Sequence, residues 1–144
     1  MLLHADLFVR SLEASLEFYC EKLGFSLIEE VHVEGAVVRF MSNDCFDAMR
    51  IAIVSVCPVG AKIELMELPT ESARSSADFM PAPHSAALTI LVPDLAIHIA
   101  ALKIKDVRPA SGTFKVRFPG SGDCSVVFYR DPDGHLLEFV EIHG

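Results

Sequence analysis

Two histidines and two glutamates stand at corresponding places in the two halves of this chain, each in a stretch that otherwise reads as an apolar strand. His4 opens HADLFV and Glu64 sits in KIELMEL; His84 opens HSAALTILV and Glu138 sits in HLLEFVEI. An ionised carboxylate facing a core is costly unless it is paired or bound to a metal. Two neutral imidazoles and two carboxylates form a natural shell for one divalent cation, and such mixed donors suit Zn²⁺, Ni²⁺, Co²⁺ or Mn²⁺ alike. Taken singly, each histidine reads as a hydrogen-bonded surface or core residue and each glutamate as an edge-strand charge. The coincidence of all four carries the argument for a two-module metalloprotein.

The elements that must position these residues repeat as well. Residues 3–9 form an apolar strand. Ser11 then caps a helix whose Leu12, Leu16, Tyr19 and Leu23 share one face and which stops at Gly24. Strand-like segments follow at Phe25–Val33, Ala36–Met41, Met49–Val56 and Lys62–Leu68, the last two forming a hairpin. Residues 69–83, polar and rich in Ser, Ala and Pro, read as a linker. The second half repeats the order with a strand at His84–Val92 and a helix from Leu95 to about Lys105. A short strand near Val107–Ala110 and a loop at Ser111–Gly122 come next. Two strands, Ser125–Tyr129 and Leu136–Ile142, then flank the turn Asp131-Pro132-Asp133-Gly134. The expected fold is α+β: two βαβββ modules, 1–68 and 84–144, joined into a curved, cup-shaped mixed sheet within a single domain.

The bounds agree. A chain of 144 residues, 51% apolar, can bury a sizeable core, and its mean hydropathy is +0.39. A net charge of −8 argues against nucleic acid and against an anionic membrane surface. No apolar run approaches the roughly 18 residues of a spanning helix. MLLHADLFVR lacks a basic segment followed by an apolar one, so secretion is not expected. Cys20, Cys45, Cys57 and Cys124 have no framework spacing and read as reduced thiols in a cytoplasmic protein.

Spacing and parity leave one choice open. His4 and His84 are 80 residues apart and Glu64 and Glu138 are 74 apart, while ELME and EFVE each hold a second glutamate, Glu67 and Glu141. Alternation puts the two glutamates of each pair on opposite faces of a strand. Both faces look partly buried, so Glu64 and Glu138, or Glu67 and Glu141, must be chosen jointly.

Together, the His4 strand, the helix ending FYCEKLGF, IELMEL, the His84 strand and DPDGHLLEFVE resemble the vicinal oxygen chelate superfamily. That is the group of glyoxalase I, the bleomycin-resistance proteins and the extradiol dioxygenases, and the likeness covers essentially the whole chain. The resemblance implies a cupped sheet holding one metal, with ligands at His4, Glu64, His84 and Glu138. It also implies a reaction. The metal polarises vicinal substrate oxygens while a glutamate shuttles a proton through an enediolate, as in a glyoxalase I-type lyase or isomerase. Glu138 is then the expected base, with Glu64 opposite it.

Departures matter too. Phe8 stands where many glyoxalase I enzymes carry an arginine for the glutathione carboxylate. Phe8, Met66 and Phe114 would line the cup and favour an apolar or aromatic small-molecule substrate. Arg10, Arg39 and Arg117 are candidates for holding an anion instead. Two alternatives stand beside the enzyme reading. One is a non-catalytic binding or resistance protein of the same fold; the other is an Fe(II)-dependent dioxygenase, disfavoured by Glu64. A homodimer is expected, because small cupped sheets leave edges to cover.

Overall fold

The stretch HADLFV alternates between a wet face and a dry one. His4, Asp6 and Phe8 lie on the first, while Leu7 and Val9 enter the core on the second. This strand, β1 (His4–Val9), lies parallel to β4 (Lys62–Glu67), which pairs antiparallel with β3 (Ala48–Ser55), which in turn pairs antiparallel with β2 (Ser26–Glu34). The second unit repeats the order. β5 (Ala87–Leu91) is parallel to β8 (Leu136–His143), followed by β7 (Gly122–Arg130) and β6 (Phe114–Phe118). The expected α+β fold of two βαβββ modules is therefore present, as two open, curved four-stranded mixed sheets.

The computed structural model describes residues 4–41, 45–57, 60–68, 86–118 and 122–143. The chain divides into two compact units, Met1–Ala73 and Arg74–Gly144. Their boundary falls within the expected linker, residues 69–83, which lies outside the described residues, as does His84. No helix among the described residues is long and apolar enough to cross a membrane. The four cysteines are free thiols.

Each unit has one main helix on the dry face of its sheet. The first, α1 (Leu12–Leu16), begins at the expected cap, where Ser11 Oγ accepts from Ala14 N–H at 3.2 Å. It widens into a π turn over Glu17–Lys22, with Leu23 N–H reaching Phe18 C=O at 3.0 Å. Gly24, at φ +81°, then takes the left-handed conformation that ends it. The second unit's helix, α3 (Leu95–Ile104), starts the same way: Asp94 Oδ1 accepts from Ile97 N–H at 2.8 Å. Beneath α3 lie Val127, Tyr129, Leu137 and Phe139, all buried, with Phe139 and Tyr129 edge to face at 5.5 Å.

Two expected elements are corrected. Ala36–Met41 is not a strand but a short helix, α2, entered from Gly35 at φ +83°. Its Val38 is fully buried against Met49, Ile51 and Met66, and Arg39 pairs with Asp47 at 2.8 Å. Packing of one valine into that apolar patch overrides the strand propensity of a β-branched run. Phe114 is not in a loop but begins β6. The alternation of Phe114 and Val116 with Lys115 and Arg117 is a period-2 pattern, and it pairs in register with β7. The short strand expected near Val107–Ala110 is absent, although Ala110 N–H does bond Phe128 C=O at 2.7 Å.

The turn at Asp131–Gly134 is as structural as its sequence suggests. Asp131 Oδ1 accepts from the backbone N–H groups of Asp133 (3.0 Å) and His135 (2.8 Å), and Oδ2 meets His135 Nδ1 at 2.8 Å. That last bond raises the His135 pKa above its ordinary 6.5. His98 lies against Phe139 at 4.2 Å, and burial lowers its pKa.

The two groups act with opposite sign. The His135 contribution is complete below about pH 6.5 and is lost as pH rises through its raised value. The His98 contribution is complete above about pH 6.5 and is lost as pH falls toward its lowered value. Together they give a stability maximum near the ordinary imidazole value. Denaturation across pH should show His135→Asn removing the loss on the alkaline side and His98→Phe removing the loss on the acid side.

Candidate metal centre

The second glutamate of each pair has a structural partner. Glu67 Oε1 accepts from Leu12 N–H at 2.9 Å, at the first residue of α1. Glu141 Oε2 accepts from Leu95 N–H at 2.9 Å, at the first residue of α3. The same bond occurs in both units. It satisfies an amide with no partner inside its helix and sets a negative charge at the positive end of the helix dipole. Glu67 is also joined to Arg50, whose guanidinium contacts Glu13 (2.6 Å), Glu30 (2.8 Å) and Glu67 (3.4 Å). Glu67 and Glu141 thus fasten helices to sheets, and alternation puts Glu64 and Glu138 on the opposite faces.

In the first unit that face gathers the chemistry. Glu64 is directly across from Asp6 in the β1–β4 ladder, and His4 is two residues before Asp6 on the same side. His4 Nδ1 lies 3.6 Å from Glu64 Oε1, and its Nε2 lies 3.2 Å from Asp6 Oδ1. One ligand atom from each of the three falls within 4.8 Å of the others. The side chains of His4, Glu64 and Asp6 are 31%, 20% and 45% exposed, so the group is open to solvent. One imidazole and two carboxylates suit a divalent ion. Asp6 was not among the residues expected from spacing, although its place two residues after His4 marks it as sharing that face.

In the second unit Glu138 is directly across from Thr89, whose hydroxyl donates to Glu138 Oε2 at 2.7 Å. The ladders also test the histidine repeat. His4 pairs with Lys62, two residues before Glu64; the residue two before Glu138 is Leu136, and its partner is Ala87. The position matching His4 is therefore Ala87, three residues after His84. The offset of 80 that joined His4 to His84 does not follow the ladder. The helix caps held the signal: Ser11 and Asp94 are 83 residues apart, as are His4 and Ala87.

The expected lining divides. Phe8 is 46% exposed on the face of His4 and Glu64. Phe114, 66% exposed, pairs through Val126 with Val140, on the face of Glu138. Met66 is on the expected face but is only 1% exposed, because the α2 cluster covers it, so it does not line an open surface. Arg39 and Arg117 are engaged by Asp47 and Asp123.

Among solved structures, a glyoxalase family protein from Bacillus cereus superposes with a TM-score of 0.75 over 98% of this chain and 93% of its own, at 20% identity. The trypanothione-dependent glyoxalase I of Leishmania major gives 0.62 over 98% and 86%, also at 20%. A glyoxalase/dioxygenase from Nostoc punctiforme gives 0.71 over 100% and 92%, at 18%. At these identities the likeness speaks for the fold alone. No curated protein matches the chain. A family model does match residues 1–139. The chain belongs to the Glyoxalase/Bleomycin resistance protein/Dioxygenase superfamily.

Proposed function

We propose that the protein is a metal-dependent lyase or isomerase of the glyoxalase I type acting on a small molecule with vicinal oxygens. His4 and Glu64 hold a divalent ion of the Zn, Ni, Co or Mn class, and Glu138 is the carboxylate that moves the proton. His84, the remaining ligand expected from spacing, lies outside the described residues, and the proposed set does not depend on it. The observation that carries the reading is the division of labour among the four glutamates. Glu67 and Glu141 are committed to helix amides, while Glu64 and Glu138 face away from α1 and α3, beside His4 and Thr89.

The residues then have distinct tasks. When bound, the ion would polarise a substrate carbonyl and acidify the adjacent C–H. Glu138 takes that proton and returns it to the neighbouring carbon. The Thr89 hydroxyl, donating to Oε2 at 2.7 Å, fixes the carboxylate's rotamer for the transfer. Exposed Phe8 and Phe114 offer apolar surface to a substrate, and the likeness to glyoxalase I carries no arginine at Phe8 for a glutathione carboxylate.

A second reading is favoured by Ala87, which offers no donor where a second imidazole would match His4. In it the protein binds an apolar small molecule without turning it over. Metal content of untagged protein by mass spectrometry separates the two. The enzyme reading expects one equivalent of Zn, Ni, Co or Mn, together with solvent deuterium entering 2-oxoaldehyde adducts or epimerisable acids. A content near zero that added metal cannot restore overturns it in favour of the binding protein. Iron alone would overturn it in favour of oxygen chemistry.

A further inference from the structure

We propose that Asp6 is a metal ligand, so that His4, Asp6 and Glu64 of the first unit together hold the ion. This rests on the metal-dependent reading above and names the ligands more closely.

Three observations converge on Asp6. One oxygen of its carboxylate, one of Glu64 and one ring nitrogen of His4 fall within 4.8 Å of one another, close enough for small side-chain movements to bring them onto one ion. Asp6 and Glu64 are also direct cross-strand partners. Like charges directly opposite each other on a ladder are destabilising, and a divalent cation between them removes that cost. The matching pair in the second unit is built differently, because Thr89 stands opposite Glu138 and satisfies it with a hydroxyl. Where the second unit places a donor for its glutamate, the first places a second anion. The two units are therefore asymmetric at both positions: His4 and Asp6 in one, Ala87 and Thr89 in the other.

The donor set has a further geometric property. Asp6 reaches Nε2 of His4 and Glu64 reaches Nδ1. An ion takes one ring nitrogen only, so one carboxylate joins it in binding the metal while the other turns from the opposite nitrogen to the ion. Both carboxylates sit on short or rotatable stems of adjacent strands, where a rotamer change suffices.

The test is metal affinity by calorimetric titration with Zn²⁺ and Mn²⁺, alongside thermal unfolding with and without metal. The variants are Asp6→Asn and Glu64→Gln. Asp6→Asn keeps the side-chain shape and should weaken binding ten- to hundred-fold, shrinking the metal-induced rise in unfolding temperature in step. Unchanged affinity in Asp6→Asn, with loss in Glu64→Gln, overturns the role of Asp6 and leaves the metal reading intact. Failure of wild type to bind either ion overturns both readings together.

Discussion

Glu138→Gln should lower turnover by about a hundred- to ten-thousand-fold, the range by which a positioned proton-transfer group accelerates its step. It should do so with little change in stability. The amide is isosteric and its carbonyl oxygen still accepts from the Thr89 hydroxyl, now 2.7 Å from Glu138 Oε2. Glu141→Leu, three residues along the same strand, should behave in the opposite way. It removes the acceptor of Leu95 N–H at the start of α3, and an unpaired, part-buried amide costs about 1–3 kcal/mol. Turnover per folded molecule should stay close to wild type. Paired measurement of kcat and chemical denaturation on the two variants checks both statements. A large loss of kcat in Glu141→Leu with stability unchanged would reverse the assignment of the two glutamates.

The second large effect is expected at Phe139, which lies between them with Val140. Phe139 is 1% exposed, packs edge to face on Tyr129 at 5.5 Å, and holds the His98 ring at 4.2 Å. Phe139→Ala should cost about 3–5 kcal/mol through lost burial and the cavity left behind. A spectroscopic consequence follows from the same contact. Burial is what lowers the His98 pKa, so opening the cavity to water should return it toward the ordinary 6.5. Proton NMR titration of the histidines checks this, and an unmoved His98 would place the origin of its burial elsewhere.

Much of the fold can be read from the chain because local signals agree with one another. The caps Ser11 and Asp94, the stop at Gly24, and the DPDG turn with its alternating flanks each specify one geometry, and the structure adopts it. α2 resists such reading because Val37 and Val38 look like strand residues. Only the apolar hollow made by Met49, Ile51 and Met66, distant in sequence, decides otherwise. β6 is hidden by the glycines and proline around it, although its own alternation is regular.

The site is half legible for a related reason. His4, Glu64 and Glu138 stand out as polar groups in apolar strands. Their role apart from Glu67 and Glu141 depends on which amide each carboxylate meets, and that is a tertiary fact. Residue spacing also misleads where the two halves differ in loop length. Matching by the nearest histidine reaches His84, whereas matching by ladder register reaches Ala87.

The twin bonds from Glu67 and Glu141 have a consequence for how each unit comes together. They span 55 and 46 residues, joining the start of a unit's helix to the end of its last strand. The α-helical part of α1 is only five residues long, too short to persist alone in water. Its first turn therefore gains a firm anchor only once the closing strand has entered the sheet. Early in folding the helix would flicker, and the arrival of ELME or EFVE would act as a latch. The amide protons of Leu12 and Leu95 then become natural reporters of that latch, each exchanging with solvent only as often as its own unit opens.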